Sequence, residues 1–439
     1  MTKKTRDWLF RIFVFLFITI TTILSLHATG YRFNLSWPLK FDQLLIKTGI
    51  LALNTEPKGA LIEIESETRI SSLVPFLNSK KEKITPYKVK NLLPGDYKIS
   101  FSMENYWPYE KKVTIYPEQT TFLEDVILFK KSLPLNVIMA NPQKILYSKN
   151  GGYAYLSETK KIINLTNEQT VFENNNSERI SWSDDDRQVY IGDKIFNLEK
   201  SSFSNYQDII GQVEDIKVFD NYLFYLKDKK LGILDINTNS ISLLNGTNKI
   251  LAYEVANNNL FIIDSGSDKT EIKVFDFKGK LISSTQLLAA SNYAFTKELN
   301  QNLTLLDNEH QIIYIIGNTS KIIDDIIRNT SVFKWIDQNR LLYATKSEIY
   351  LYNREQLKST LITRLGEQIK SLAWSDDNYL IYATENNIGI INITNEGNDI
   401  TIIWSGNNLS SLYFNNKNNL LYFSGAIGQQ SGLYKMYLK

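Results

Sequence analysis

No cysteine occurs among the 439 residues, which excludes a disulfide framework, a thiolate nucleophile and any Cys-ligated zinc or iron–sulfur centre. Only two histidines are present, His27 and His310. That is too few for a multi-His metal site and leaves little room for a His-based triad. Glycine (20) and proline (9) are sparse, so the chain is neither collagen-like nor dominated by linkers. An excess of charge of one sign is also missing once the first turn of the chain is set aside. Residues 1–11 carry a net +3 and the remainder a net −1. Nucleic-acid binding needs a concentrated basic surface to neutralise phosphates; no such run occurs, and nucleic acid is not an expected partner. Nor does any G-x-G-x-x-G, G-x-S-x-G or P-loop pattern occur. What the chain has in quantity is apolar and aromatic side chains, 43% and 12%. These are enough to bury a core along most of a length that corresponds to roughly two to four domains.

The basic start is followed by Trp8-Leu9-Phe10 and then by Ile12 to Leu26 with nothing more polar than Thr and Ser. Trp8 to Ala28 makes about 30 Å of helix, enough to cross a bilayer. Arg11 lies near enough to the end of the span to snorkel, and Trp8 and Tyr31 bracket it where interfacial aromatics are expected. The positive flank predicts a cytoplasmic N-terminus, with the residues after about 30 outside. A cleaved signal peptide competes with this signal-anchor reading. Cleavage, however, favours small residues in an A-x-A-like pattern, and Leu26-His27-Ala28 places Leu where one belongs.

From Gly49 the periodicity becomes that of strands. Gly49–Asn54 and Ala60–Glu65 flank Pro57-Lys58-Gly59, whose Pro and Gly chemistry predicts a tight turn. Thr85-Pro86 and Leu93-Pro94-Gly95-Asp96-Tyr97 follow, and Pro94-Gly95 suits the centre of a type II turn. Alternating strands are expected at Tyr97–Phe101, Lys112–Ile115 and from Thr121 to Leu128. These residues resemble the PEGA domain family through Pro57-Lys58-Gly59-Ala60, Thr85-Pro86, Leu93-Pro94-Gly95-Asp96-Tyr97 and Asn105-Tyr106-Trp107, in that order. Lys58 stands in place of the family's Glu, and residues 66–83 form a longer polar insertion, either a docking loop or a disordered one. The resemblance implies a small β-sandwich-like module of surface proteins. It implies no chemistry, and the motif residues read as turn formers.

Over the remaining 300 or so residues an aromatic unit repeats. Ser181-Trp182-Ser183-Asp184-Asp185 recurs as Ala373-Trp374-Ser375-Asp376-Asp377, with Tyr190 and Tyr382 each eight positions after the Trp. The anchors are Tyr147, Trp182, Phe219, Tyr253, Phe295, Trp335, Trp374 and Phe414, spaced 34 to 42 residues apart. That period fits four-stranded propeller blades, and no persistent 3.6-residue period supports a helical solenoid. The Trp-Ser-Asp-Asp pairs resemble the Trp-Ser-Pro-Asp-Gly repeat of TolB-like and WD40-like propellers of six to eight blades. Eight blades are expected, or seven if the Phe219 unit is degenerate. The segment Pro134–Met139 is expected to supply the outer strand of the last blade and so lock the ring.

The predicted fold is therefore all-β after one helix. Residues 1–30 form a basic tail and transmembrane anchor, 31–48 a connector, 49–130 a PEGA-like domain and 131–439 a β-propeller. No residue is nominated as catalytic, cofactor-binding or metal-ligating. Asp184-Asp185-Asp186 lacks the spacing of a calcium loop and reads as a polar turn, as does Asp264-Ser265-Gly266-Ser267-Asp268. His310 has no nucleophile or ligand partner nearby in sequence. Scattered Asn-x-Ser/Thr triplets follow from the high Asn content. Most of the 25 Tyr and 22 Phe read as blade core, with some available to ring the channel mouth. The expected function is an anchored, non-enzymatic binding or scaffold protein of the cell envelope, with the cytoplasmic membrane and an envelope protein or cell-wall component as partners. The alternative is a propeller hydrolase or lyase acting on polysaccharide through a pair of channel-face carboxylates.

Overall fold

The computed structural model describes residues 3–33, 45–66, 83–139, 144–173, 180–204, 206–267, 269–298, 302–317, 321–375, 379–393 and 400–439. Residues 67–82 of the polar insertion, and Asp268, Asp376 and Asp377 of the turns named above, lie outside these. The chain divides into two compact units, Met1–Ser132 with Leu438–Lys439, and Leu133–Tyr437.

The first unit begins with a helix, Lys3–Ala28. It is long and apolar enough to cross a membrane, with a mean hydropathy of 2.3 and none of its most apolar stretch buried. Its Thr19 and Thr22 hydroxyls donate to the Phe15 and Ile18 carbonyls at 2.9 Å, so these polar groups are satisfied within the helix, as an apolar surrounding demands. The helix gives way at Gly30, with φ at +87°, a left-handed conformation that glycine adopts at little cost. The Gly30 carbonyl accepts both the Thr48 amide at 2.8 Å and the Thr48 hydroxyl at 2.7 Å. The short strands Tyr31–Phe33 and Leu45–Lys47 pair beside it.

Two sheets follow, packed face to face. One has the order Tyr87–Leu92, Gly49–Glu56, Thr120–Ile127; the other Lys83–Ile84, Leu61–Ser66, Gly95–Ser102, Tyr109–Ile115. Alternation along the strands turns Leu51, Leu53, Val89, Leu123 and Val126 of the first sheet against Ile62, Ile99, Phe101 and Ile115 of the second. The Pro57–Gly59 turn carries the chain from one sheet to the other. The Pro94-Gly95 expectation needs correction: Gly95 has φ +145° and already pairs with Ile115. It therefore opens its strand rather than taking the roughly +80° of a type II centre.

The second unit is a β-propeller. Among the described residues it holds eight four-stranded antiparallel sheets, spanning 145–173, 180–204, 215–243, 250–287, 293–327, 332–364, 371–405 and 407–437; they are numbered 1 to 8 in that order. The eighth takes Leu135–Met139 as its outer strand, paired with Gln430–Tyr437, as the sequence predicts. Each aromatic anchor lies on the first strand of a different sheet, and the Phe219 unit forms a complete sheet with a two-residue turn. Sheets 1 and 8 share one core containing Ile145, Leu156, Leu420, Tyr422 and Leu433. This burial joins the two ends of the ring. Gly151 sits at the same joint with φ +69°, where a Cβ would overlap the Tyr413 ring.

Candidate functional site

The first strands of all eight sheets line a single cavity of 680 Å³. The anchors from Tyr147 to Trp374 pack in cores shared by neighbouring sheets. The charges that reach the cavity stand beside them, on the first strand at Lys217, Glu254, Lys297 and Lys334 and in the turn just after it at Lys149, Asp184 and Glu298. Sequence reasoning names Asp184 only as part of a polar turn and does not single out the others. Lys217 of sheet 3 pairs with Glu254 of sheet 4 at 2.6 Å. Glu298 of sheet 5 pairs with Lys334 of sheet 6 at 2.9 Å. Lys149 of sheet 1 pairs with Asp184 of sheet 2 at 2.5 Å. Asp184 also accepts from Lys297 of sheet 5, which reaches across the cavity. Lys297 is held from two further sides, donating to the Val255 carbonyl at 2.8 Å and lying 5.2 Å from the centre of the Phe219 ring. The signal for this arrangement in the sequence is partial: each of these charges lies within three residues of an anchor, but so do Asp185, Asp220 and Asp337, which are not part of the lining.

These pairings set the titration of the cavity. Burial alone would raise the Asp184 carboxyl, but hydrogen bonds and charge from Lys149 and Lys297 outweigh it and hold it below the usual carboxylate range. Burial likewise opposes the Lys217 ammonium, yet Glu254 and Asp215 outweigh that cost and raise it. Tyr413, also in the lining, is pushed up to about 12 by burial and then by Asp186 and Tyr422.

The three aspartates of Asp184-Asp185-Asp186 have different tasks. Asp185 closes the turn, accepting the Ser183 hydroxyl at 2.7 Å and the Arg187 amide at 3.1 Å. Asp186 takes the amides of Lys149 and Asn150 from the neighbouring sheet. Asp184 faces the cavity. Asp264 accepts the Asn248 and Lys249 amides and the Lys273 ammonium. His310 donates through Nδ1 to the Asp307 carboxylate at 2.7 Å, within the hairpin between the second and third strands of sheet 5. Among the described residues, no group of three or more His, Asp or Glu side chains is placed to hold a metal ion. Tyr147, Tyr190 and Tyr413 reach the cavity, whereas Tyr155, Tyr225, Tyr343, Tyr382 and Tyr422 are buried.

In the first unit, two parts of the PEGA signature meet. Thr85 Oγ1 accepts the Gly59 and Ala60 amides at 3.2 and 3.1 Å and lies 2.6 Å from the Thr55 hydroxyl. The motif residues thus hold the turn between the sheets.

Comparison with known proteins bears on the first unit. Residues 76–127 match the PEGA domain, and the chain carries that domain there; the Pro57–Ala60 turn lies upstream of the matched stretch. No curated protein matches the sequence. Among solved structures, the chain is similar to one described as a crystal structure of the eukaryotic initiation factor, at 12% identity over 67% of this chain and 87% of that one, with a TM-score of 0.47. It is also similar to the Myceliophteria thermophila Cps50 (Swd1) beta-propeller domain, at 11% identity over 69% of this chain and 100% of that one, with a TM-score of 0.37. Likenesses at this level carry no functional argument, and the propeller assignment rests on the sheets and their closure.

Proposed function

We propose that the protein is a membrane-anchored, extracytoplasmic binding or scaffold protein of the cell envelope, and that its propeller is the interaction platform. The anchor would be the Lys3–Ala28 helix, oriented by the basic residues at its N-terminal end. PEGA domains occur in extracellular proteins, which supports the same placement. The observation that carries the non-enzymatic reading is the state of the cavity's carboxylates. Asp184, Glu254 and Glu298 each engage a lysine, and Asp184 is held below the usual range. A glycosidase-type general acid instead needs a carboxyl raised toward neutrality beside a second, free carboxylate. A rigid ring with a charged, aromatic-lined cavity offers recognition without that chemistry.

Crosslinking in cells, followed by purification of the full chain and identification of what is retained, tests the proposal. Envelope proteins or cell-wall fragments are the expected products. Recovery of cytosolic proteins only, or cleavage of a polysaccharide by the purified chain, would overturn it.

A further inference from the structure

Asp184 is shared by two ammoniums, Lys149 and Lys297, whereas Lys217 with Glu254 and Lys334 with Glu298 are matched one to one. Asp186, the other carboxylate near Lys149, faces the neighbouring turn and has its oxygens taken by the Lys149 and Asn150 amides. The lysines are the fixed members of the group: the Lys149 and Lys297 side chains are only 13% and 5% exposed, against 44% for Asp184. The Val255 carbonyl and the Phe219 ring hold Lys297 independently of Asp184. Trp182, two residues before Asp184 and also in the cavity lining, keeps a buried indole N–H without a partner.

We infer that Asp184 occupies, from within the chain, a recognition site for an external carboxylate. An incoming carboxylate takes the Lys149 and Lys297 ammoniums as Asp184 swings toward solvent. Charge-assisted hydrogen bonds to pre-positioned lysines are strong and cost little ordering. The carboxylate can be borne by an acidic peptide segment or by a small dicarboxylic acid, and the cavity's aromatic lining accommodates the apolar part of either. The inference deepens the binding reading above and rests on it.

The test uses the full chain in detergent micelles at low salt, titrated with tetraglutamate and, separately, with glutarate. Binding is followed by calorimetry and by the fluorescence of Trp182, Trp335 and Trp374, all in the lining. Asp184→Asn removes the internal competitor and is expected to bind at least about tenfold more tightly. Lys149→Gln and Lys297→Gln are each expected to weaken binding at least about tenfold, the order of one charge-assisted hydrogen bond. Lys269→Gln, on the surface, serves as the unchanged control. If Lys297→Gln fails to fold, Lys149→Gln decides. Tetraglutamate binding without glutarate binding identifies the peptide form, and the reverse identifies the small acid. No binding of either probe, no gain in Asp184→Asn, or wild-type affinity in Lys149→Gln would overturn the inference. Crosslinking to an envelope partner would still leave the scaffold reading intact.

Discussion

The Tyr147 hydroxyl donates to the Ser411 carbonyl at 2.8 Å, and the Tyr147 and Tyr413 rings stack with centroids 4.9 Å apart. These contacts join the first and last sheets of the ring across a separation of 264 residues. Tyr147→Phe keeps the ring stack and removes the hydrogen bond, at a cost of about 1 kcal/mol. The expected fall in melting temperature is on the order of 2 °C for a unit this size.

Leu135–Met139 covers the outer edge of sheet 8. Its deletion exposes that edge and part of the core shared with sheet 1, which includes Val137 and Ile138. A loss of several degrees in melting temperature is expected, larger than that of Tyr147→Phe. An unchanged melting temperature would mean that the ring closes without this strand.

Thr85 is the keystone of the PEGA turn. Thr85→Val preserves shape but leaves the buried Ala60 amide short of a partner, while the Thr55 hydroxyl keeps its bond to the Pro57 carbonyl. Such a buried group costs about 1–3 kcal/mol. Differential scanning calorimetry of the full chain should show destabilisation, and Thr85→Ser, which restores the oxygen, should recover most of it.

Alkaline pH should weaken the propeller. Burial, followed by Glu367, pushes Tyr382 up to about 12, and burial, followed by Glu168, does the same to Tyr422. In the unfolded chain both titrate near 10. Between those values the folded state retains protons that the unfolded state has released, so stability is fully present below pH ~10 and declines as pH rises toward about 12. The raised Lys217 ammonium acts in the same direction. Denaturant melts at pH ~9 and pH ~11 should differ, and Tyr382→Phe should narrow the difference.

The repeat was legible in the sequence because each anchor sits on the first strand of a sheet, and the Tyr eight residues later usually sits on the second. Tyr382 and Tyr225 also explain two glycines in the third strands: each ring covers the position where a Cβ on Gly389 or Gly232 would lie. The closing strand was legible from a simple deficit, since the last unit ends one strand short. The cavity network was not legible as a network. Lys297 and Asp184 are 113 residues apart, and only the curvature of the closed ring brings sheet 5 to sheet 2. Thr85 likewise stood out as part of a motif, but a motif does not say which two turns it ties together.

Because the natural chain has no cysteine, a single introduced thiol reports topology without background. Ser242→Cys, on an exposed strand edge, can be treated in intact cells with a maleimide that does not cross the cytoplasmic membrane. Where an outer membrane is present, it is permeabilised first. A propeller held outside the cytoplasmic membrane is labelled before that membrane is broken; labelling that appears only after lysis would contradict the placement on which the proposed function depends.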